Sequence, residues 1–244
     1  MLLGFALVLT RISSFLLVLP VFGAKGLPVQ IKAAMAVFLS LFFCTTTPLG
    51  INPAQIFLTQ AIVLLAGEAI YGLALGLIAA LLFSVVQLSG YIIEQQMGLT
   101  MAEIINPLTE EEVGPLASLL EMIFILLFLS ANGHHLFLLI LSKSYGTFPA
   151  GTVPTLGTLV GGVIQTGSVM FVAGLRLAAP MLAAFLILMV ALALLARLIP
   201  EMDVFFIGMP AQAALGLFLA AAFLPLVGGF VTEMADWMAK LLPI

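Results

Sequence analysis

Residues 69–93 contain no Asp, Glu, Lys or Arg. As a helix these 25 residues would run for about 37 Å, more than the roughly 30 Å hydrocarbon core of a bilayer. Further charge-free spans cover 33–67, 122–142, 144–175, 177–196 and 204–232. Backbone in lipid must satisfy its own hydrogen bonds, which leaves helices or closed barrels, and these runs are far too long and too uniformly apolar for barrel strands. The pattern predicts an all-α fold of polytopic, membrane-type helical hairpins, with roughly six to eight helices.

Composition narrows the function classes. Charged residues are 7% of the 244, and hydrophobic residues are 64%. An ordinary soluble domain carries roughly a quarter charged residues, so no soluble surface can be built here. High hydrophobicity also excludes a disordered chain. Seven scattered Lys and Arg cannot form a phosphate-binding stripe, so nucleic acid is not an expected partner and membrane lipid is. The single cysteine, Cys44, lies in an apolar run and reads as a small buried hydrophobe. No P-loop, dinucleotide fingerprint or Ser/His/Asp arrangement occurs, and the expectation is a chain with no cofactor and no enzymatic activity. Residues 1–22 read as a retained membrane segment rather than a signal peptide. Arg11 interrupts the apolar run, and Phe22 is too bulky for the position it would hold before a cleavage point at Ala24.

The breaks between spans have local causes. Gly23–Pro28 is a turn, Thr45–Pro53 and Phe148–Pro154 are connectors, and Pro200–Asp203 separates the last two long helices. Asn106–Pro115 is the most polar stretch of the chain. Within 144–175 the apolar helix should start near Leu159, and Pro180 should kink a helix or mark an unwound point.

Six ionisable residues interrupt or edge the apolar runs: Arg11, Glu68, Glu94, Glu121, Arg176 and Arg197. Each costs about 2.5–3.5 kcal/mol at a bilayer centre, so each needs a partner or a function. Helix–helix or subunit pairing is the default, and an ion pathway is the alternative. Gly72 and Gly76 lie on one helix face and would let two helices approach closely, though the spacing is common in apolar sequence. Gly157, Gly161, Gly162 and Gly167 read as packing against neighbouring helices. His134 and His135 point about 100° apart on a helix and cannot share a metal on one face, so no metal site is expected. The run Glu110-Glu111-Glu112 reads as a solvated tip.

Several motifs then fall in order along the chain. They are Pro28 with Lys32, Glu68-Ala-Ile-Tyr-Gly-Leu-Ala-Leu-Gly76, Gln96-Met-Gly-Leu99 followed by Asn106-Pro107, Asn132-Gly-His134, Phe148-Pro-Ala-Gly151, and Arg197-Leu-Ile-Pro-Glu-Met-Asp-Val-Phe-Phe-Ile-Gly-Met-Pro210. Together they resemble the FliR/SctT family of type III secretion export-gate proteins, collinearly over essentially the whole chain. The resemblance implies a FliP-like part over about 1–158 and a FliQ-like hairpin region over about 159–244, built into a helical hetero-oligomeric ring. Its implied partners are five FliP and four FliQ per copy, FlhB around the entrance, and unfolded export substrates in transit. The implied location is the bacterial inner membrane at the flagellar basal body, with much of the assembly on the periplasmic side. The flagellar branch is favoured by the Gln96 and Pro200 stretches over the virulence injectisome, and a stand-alone transporter is a remote alternative.

The resemblance also assigns roles. Asn106, Pro107, Leu108, Thr109, Glu110, Glu111, Glu112, Val113 and Gly114 match the loop that plugs the pore, and Gln96, Met97 and Gly98 match residues that line or support the constriction. The family usually has Asp at the position of Asn106 and Gln at that of Glu201. It commonly has Glu at the position of Tyr91, and Glu94, three residues on and nearly on the same helix face, is expected to take over that carboxylate's role. The chain starts at an apolar residue where family members tend to have a short leader, which leaves a truncation or a different start site open.

Overall fold

The computed structural model describes residues 2–23, 28–46, 57–99, 114–152, 155–199 and 204–241. These residues form helices joined by turns: α1 (Leu2–Val18), α2 (Pro20–Gly23), α3 (Val29–Thr46), α4 (Leu58–Met97), α5 (Pro115–Ser130), α6 (His134–Thr147), α7 (Leu156–Leu198) and α8 (Val204–Leu241). No sheet occurs among the described residues, and the all-α expectation is met. Four of the helices are long and apolar enough to cross a membrane.

Two charge-free runs extend further than the sequence pattern implied. The run at 69–93 is the interior of α4, 40 residues long. The spans 144–175 and 177–196 are not separate helices, because α7 starts at Leu156 and continues unbroken for 43 residues through Arg176 and Pro180. Arg176 does not stop it, and its exposed side chain faces Glu233 at 3.7 Å. Pro180 deletes one backbone donor without ending the helix.

The chain forms two compact units that interleave along the sequence. The division near 158/159 falls within the first turn of α7. The first unit comprises Met1–Phe83, Leu129–Val169 and Met234–Ile244. Its core is built around α1. Leu7, Val8, Ile12 and Phe15 are fully buried, so this 17-residue segment is a core helix rather than a lipid-facing span. Phe137 of α6 collects Phe15, Phe22 and Phe83 at centroid distances of 6.0–6.3 Å. α3 is attached by a narrow stripe: it buries only Ala36, Ser40 and Phe43, while Val29, Phe38 and Phe42 are exposed.

Gly72 and Gly76 explain how α1 and α4 come so close. A Cβ on Gly72 would collide with the Arg11 carbonyl and the Ser14 hydroxyl. One on Gly76 would sit 2.9 Å from the Phe15 carbonyl oxygen and 3.0 Å from the Val18 Cβ. The GxxxG spacing is thus the seat of α1. By contrast, a Cβ on Gly157, Gly161 or Gly167 would meet nothing within 4 Å. Among the described residues these three glycines have no close neighbour.

The second unit comprises Ser84–Phe128 and Met170–Glu233. Gly90 of α4 lies against α5, where an added Cβ would be 2.8 Å from the Ala117 Cα. Gly174 of α7 lies against Leu88, and Gly216 of α8 receives Met97. Phe124 of α5 stacks on Phe230 of α8 at 5.8 Å.

Gly72→Ala should destabilise the detergent-solubilised chain by about 1–3 kcal/mol through overpacking. Gly161→Ala should be neutral or stabilising by up to about 1 kcal/mol, because Ala is the better helix former in open space. Thermal unfolding of the two variants side by side checks the contrast.

Candidate functional site

The most heavily bonded polar group in the first unit is Arg11. Its guanidinium is fully buried. Nε donates to Glu68 Oε2 at 2.5 Å and Nη2 to Glu68 Oε1 at 3.0 Å, a bidentate fork. Nη1 donates to the Ser144 hydroxyl at 3.1 Å and to the Phe148 carbonyl at 2.9 Å. The rings of Tyr71 and Tyr145 lie 4.6 and 4.4 Å from the guanidinium carbon, a cation–π sandwich. Glu68, equally buried, also accepts the Gly151 backbone N–H at 2.8 Å. Gly151 reaches it from a left-handed conformation, φ 92°, at the end of a tight turn in which Thr152 N–H bonds the Pro149 carbonyl at 2.9 Å. Two of the sequence motifs therefore meet here. Glu68, Tyr71, Gly72 and Gly76 form one face of α4, and Phe148–Gly151 closes over the ion pair.

A second arrangement lies in the second unit, on both sides of the polar stretch. α4 ends at Met97, and Gly98 follows in a left-handed conformation, φ 75°, with its N–H on the Gln95 carbonyl at 3.2 Å. A residue other than glycine is strained there, which makes Gly98 a helix stop. Met97 is 3% exposed, so within the chain it supports its surroundings from inside, while Gln96 is half-buried. α5 begins with Pro115 at its first position. The next two backbone donors, of Leu116 and Ala117, are taken by Glu94 of α4 at 3.3 and 3.4 Å. Residues 106–113 lie outside the described residues; Gly114 is buried against the Glu94 carboxylate.

Comparison with known proteins decides the family. Residues 2–238 match the family of bacterial export proteins, family 1. The chain is 30% identical over 234 residues to the flagellar biosynthetic protein FliR of Escherichia coli, covering 96% of this chain and 89% of that protein. It is 29% identical to FliR of Pectobacterium carotovorum, over 95% of this chain and 90% of that one, and 30% identical to FliR of Bacillus subtilis, over 88% and 84%. The chain belongs to bacterial export protein family 1. With these relatives and its membrane-type helices, it is a membrane-embedded component of the flagellar export apparatus.

In this export protein the six ionisable residues divide by environment. Arg11, Glu68 and Glu94 are fully buried, and all three are bonded within the chain. Glu121 is half-buried on α5. Arg176 and Arg197 are exposed on the surface of this chain. Arg176 faces Glu233 at 3.7 Å across an open surface, where an ion pair adds little. His134 and His135 stack on each other at 4.3 Å, and no group of three metal-ligating side chains occurs among the described residues. Asn132, in the turn before α6, adopts φ 59°, which gives the Asn-Gly-His motif a backbone reason: asparagine tolerates the left-handed region. The roles of Ser144 and the Phe148–Gly151 turn were not visible in the sequence, because neither carries charge.

Removing one member of the ion pair, by Arg11→Ala or Glu68→Ala, should destabilise the chain by about 3–5 kcal/mol by leaving a buried charge unpaired. The double variant Arg11→Leu/Glu68→Leu should cost clearly less than the sum of the two single leucine changes. Denaturation of the purified chain or complex measures both.

Proposed function

We propose that the chain is the export-gate subunit that forms, with FliP and FliQ, the channel through which unfolded flagellar proteins are exported. The observation that carries this is the reach of its exposed apolar surface. On α7, exposed apolar side chains recur from Leu156 to Leu198, a helical path of about 63 Å, twice the hydrocarbon thickness. The most steeply tilted membrane helices reach about 40°, and at that angle the path still exceeds one bilayer. Part of this face therefore needs other protein against it, as a subunit of a helical ring would provide.

The expected assembly holds five FliP and four FliQ per copy, with FlhB around the entrance, and the chain joins a FliP-like part over about 1–158 to a FliQ-like hairpin region over about 159–244. It sits in the inner membrane at the basal body, with much of it on the periplasmic side. The gate is passive. It catalyses no reaction and holds no cofactor, and the proton motive force with an associated ATPase supplies the drive. The flagellar names of the relatives support the flagellar over the injectisome branch. Residues 106–114 plug the closed pore. Gln96, Met97 and Gly98 support the constriction, and the burial of Met97 and the helix stop at Gly98 favour a fixed base for that segment.

Deleting residues 107–114 should leave the complex intact by co-purification while raising ion leak or altering secretion. An intact complex with unchanged leak and secretion would sink the gate role. So would a monomeric purified chain that transports a solute alone.

A further inference from the structure

In the second unit α7 and α8 run antiparallel. Gly208 of α8 lies against Leu192 of α7, and Glu233 of α8 faces Arg176 of α7 at 3.7 Å. Between Arg176 and Arg197 lie residues 177–196, with no charge and no Gly, Ser, Thr, Asn or Gln. As helix they rise about 30 Å, the thickness of a hydrocarbon core. α8 matches them with the apolar stretch Phe206–Pro225, 20 residues long. In the sequence, charge resumes outside both stretches: at Arg176 before them, at Arg197, Glu201 and Asp203 between them, and at Glu233 after them.

The outer face of this band is apolar from end to end. Ala183, Ile187, Val190 and Leu194 recur at three- and four-residue spacings on α7 and are all exposed, as are Leu217 and Phe218 of α8. Arg176 and Arg197 are exposed too. At 3.6 residues per turn they stand about 60° apart around the helix, so they close the two ends of one stripe. Arg197 has no ion-pair partner among the described residues, and Arg176 has only the 3.7 Å contact with Glu233. An exposed arginine is unfavourable within hydrocarbon. At its edge the stem can lie along apolar surface while the guanidinium reaches a lipid phosphate, which it binds as a fork.

α7 is too long to cross once with all its residues in hydrocarbon, and an exposed Arg176 divides it. The stretch before Arg176 exposes Thr158, Gln165 and Ser168. The stretch after it exposes no polar side chain until Arg197 closes it, and it has the length of the hydrocarbon core.

We infer that the bilayer crosses this chain between Arg176 and Arg197: the outer stripe of α7 and the Phe206–Pro225 part of α8 face acyl chains, and the two arginines hold phosphates of anionic phospholipid in opposite leaflets. Residues 156–175 of α7 then lie beyond the hydrocarbon. The placement goes beyond the gate reading and holds whether or not residues 106–114 plug a pore.

Depth measurement tests it on the chain with the subunits that co-purify, in vesicles of phosphatidylethanolamine and phosphatidylglycerol. Cys44→Ala removes the single cysteine. Spin labels then go, one at a time, on Val172→Cys, Ala183→Cys, Ile187→Cys, Leu194→Cys and Leu198→Cys. Collisions with oxygen, which concentrates in hydrocarbon, relative to those with a water-soluble nickel chelate read the depth. The label at 187 should lie deepest, about 15 Å below the phosphates, with depth falling by about 1.5 Å per residue toward 172 and 198. The variant Arg176→Gln/Arg197→Gln should lose phosphatidylglycerol that co-purifies with the wild type, whereas Arg176→Lys/Arg197→Lys keeps the charges and should retain most of it. A depth maximum before Arg176, or labels at 187 and 194 shielded from oxygen and chelate alike by protein, overturns the placement. Wild-type phosphatidylglycerol in the glutamine variant overturns the phosphate contact. If other subunits co-purify and cover position 187, this inference falls and the gate reading stands. If 187 lies deepest and deletion of 107–114 is silent in an intact complex, the gate reading falls and this inference stands.

Discussion

The bidentate pair between Arg11 and Glu68 organises the first unit. Two charges with no solvent exposure are tolerable only if nearly every donor and acceptor is used, and here they are. That requirement propagates outward. Glu68 fixes which face of α4 meets α1, and two glycines at one-turn spacings beyond it let the backbones close to contact. The remaining lone pairs and protons draw in Ser144 of α6 and the Phe148–Gly151 turn, so three helices and one turn are registered on a single ion pair. A purely apolar interface among such uniform helices would accept several registers; the pair accepts one.

The second unit uses charge for a different end. Glu94 is as buried as Glu68, and it accepts from two helix-terminal amides. The two sites show how a chain with 7% charged residues can spend each one on a structural decision. The apolar residues divide similarly. Phe124, Phe137 and Phe230 fill cores, while α3, α7 and the Phe206–Pro225 part of α8 bury few of their side chains within the chain. Low charge marked the whole molecule as avoiding water, but a lipid face and a subunit face are equally apolar.

Much of this was legible in the residues themselves. The charge-free runs gave an all-α membrane architecture, and the ordered motifs gave the family. The Gly72/Gly76 spacing predicted a close helix approach, yet nothing in it named α1 as the partner. Arg11 and Arg176 look alike in sequence, each a lone arginine in an apolar run. One is sandwiched between two tyrosines and the other lies on an open surface, a distinction set by packing across long sequence separations. The run boundaries misled where α7 passes straight through Arg176 and Pro180, since the backbone bonds on either side of one missing donor continue a 43-residue helix. The turn at Phe148–Gly151 contributes a carbonyl and an N–H, which no side-chain pattern reports.

The central claim is that part of the exposed apolar surface of this chain is covered by other subunits of an export gate. Native mass spectrometry of the complex purified through a tagged copy of this chain tests it most directly. The account predicts one copy of the chain with several copies each of two other small membrane proteins. A monomer carrying only lipid would contradict it.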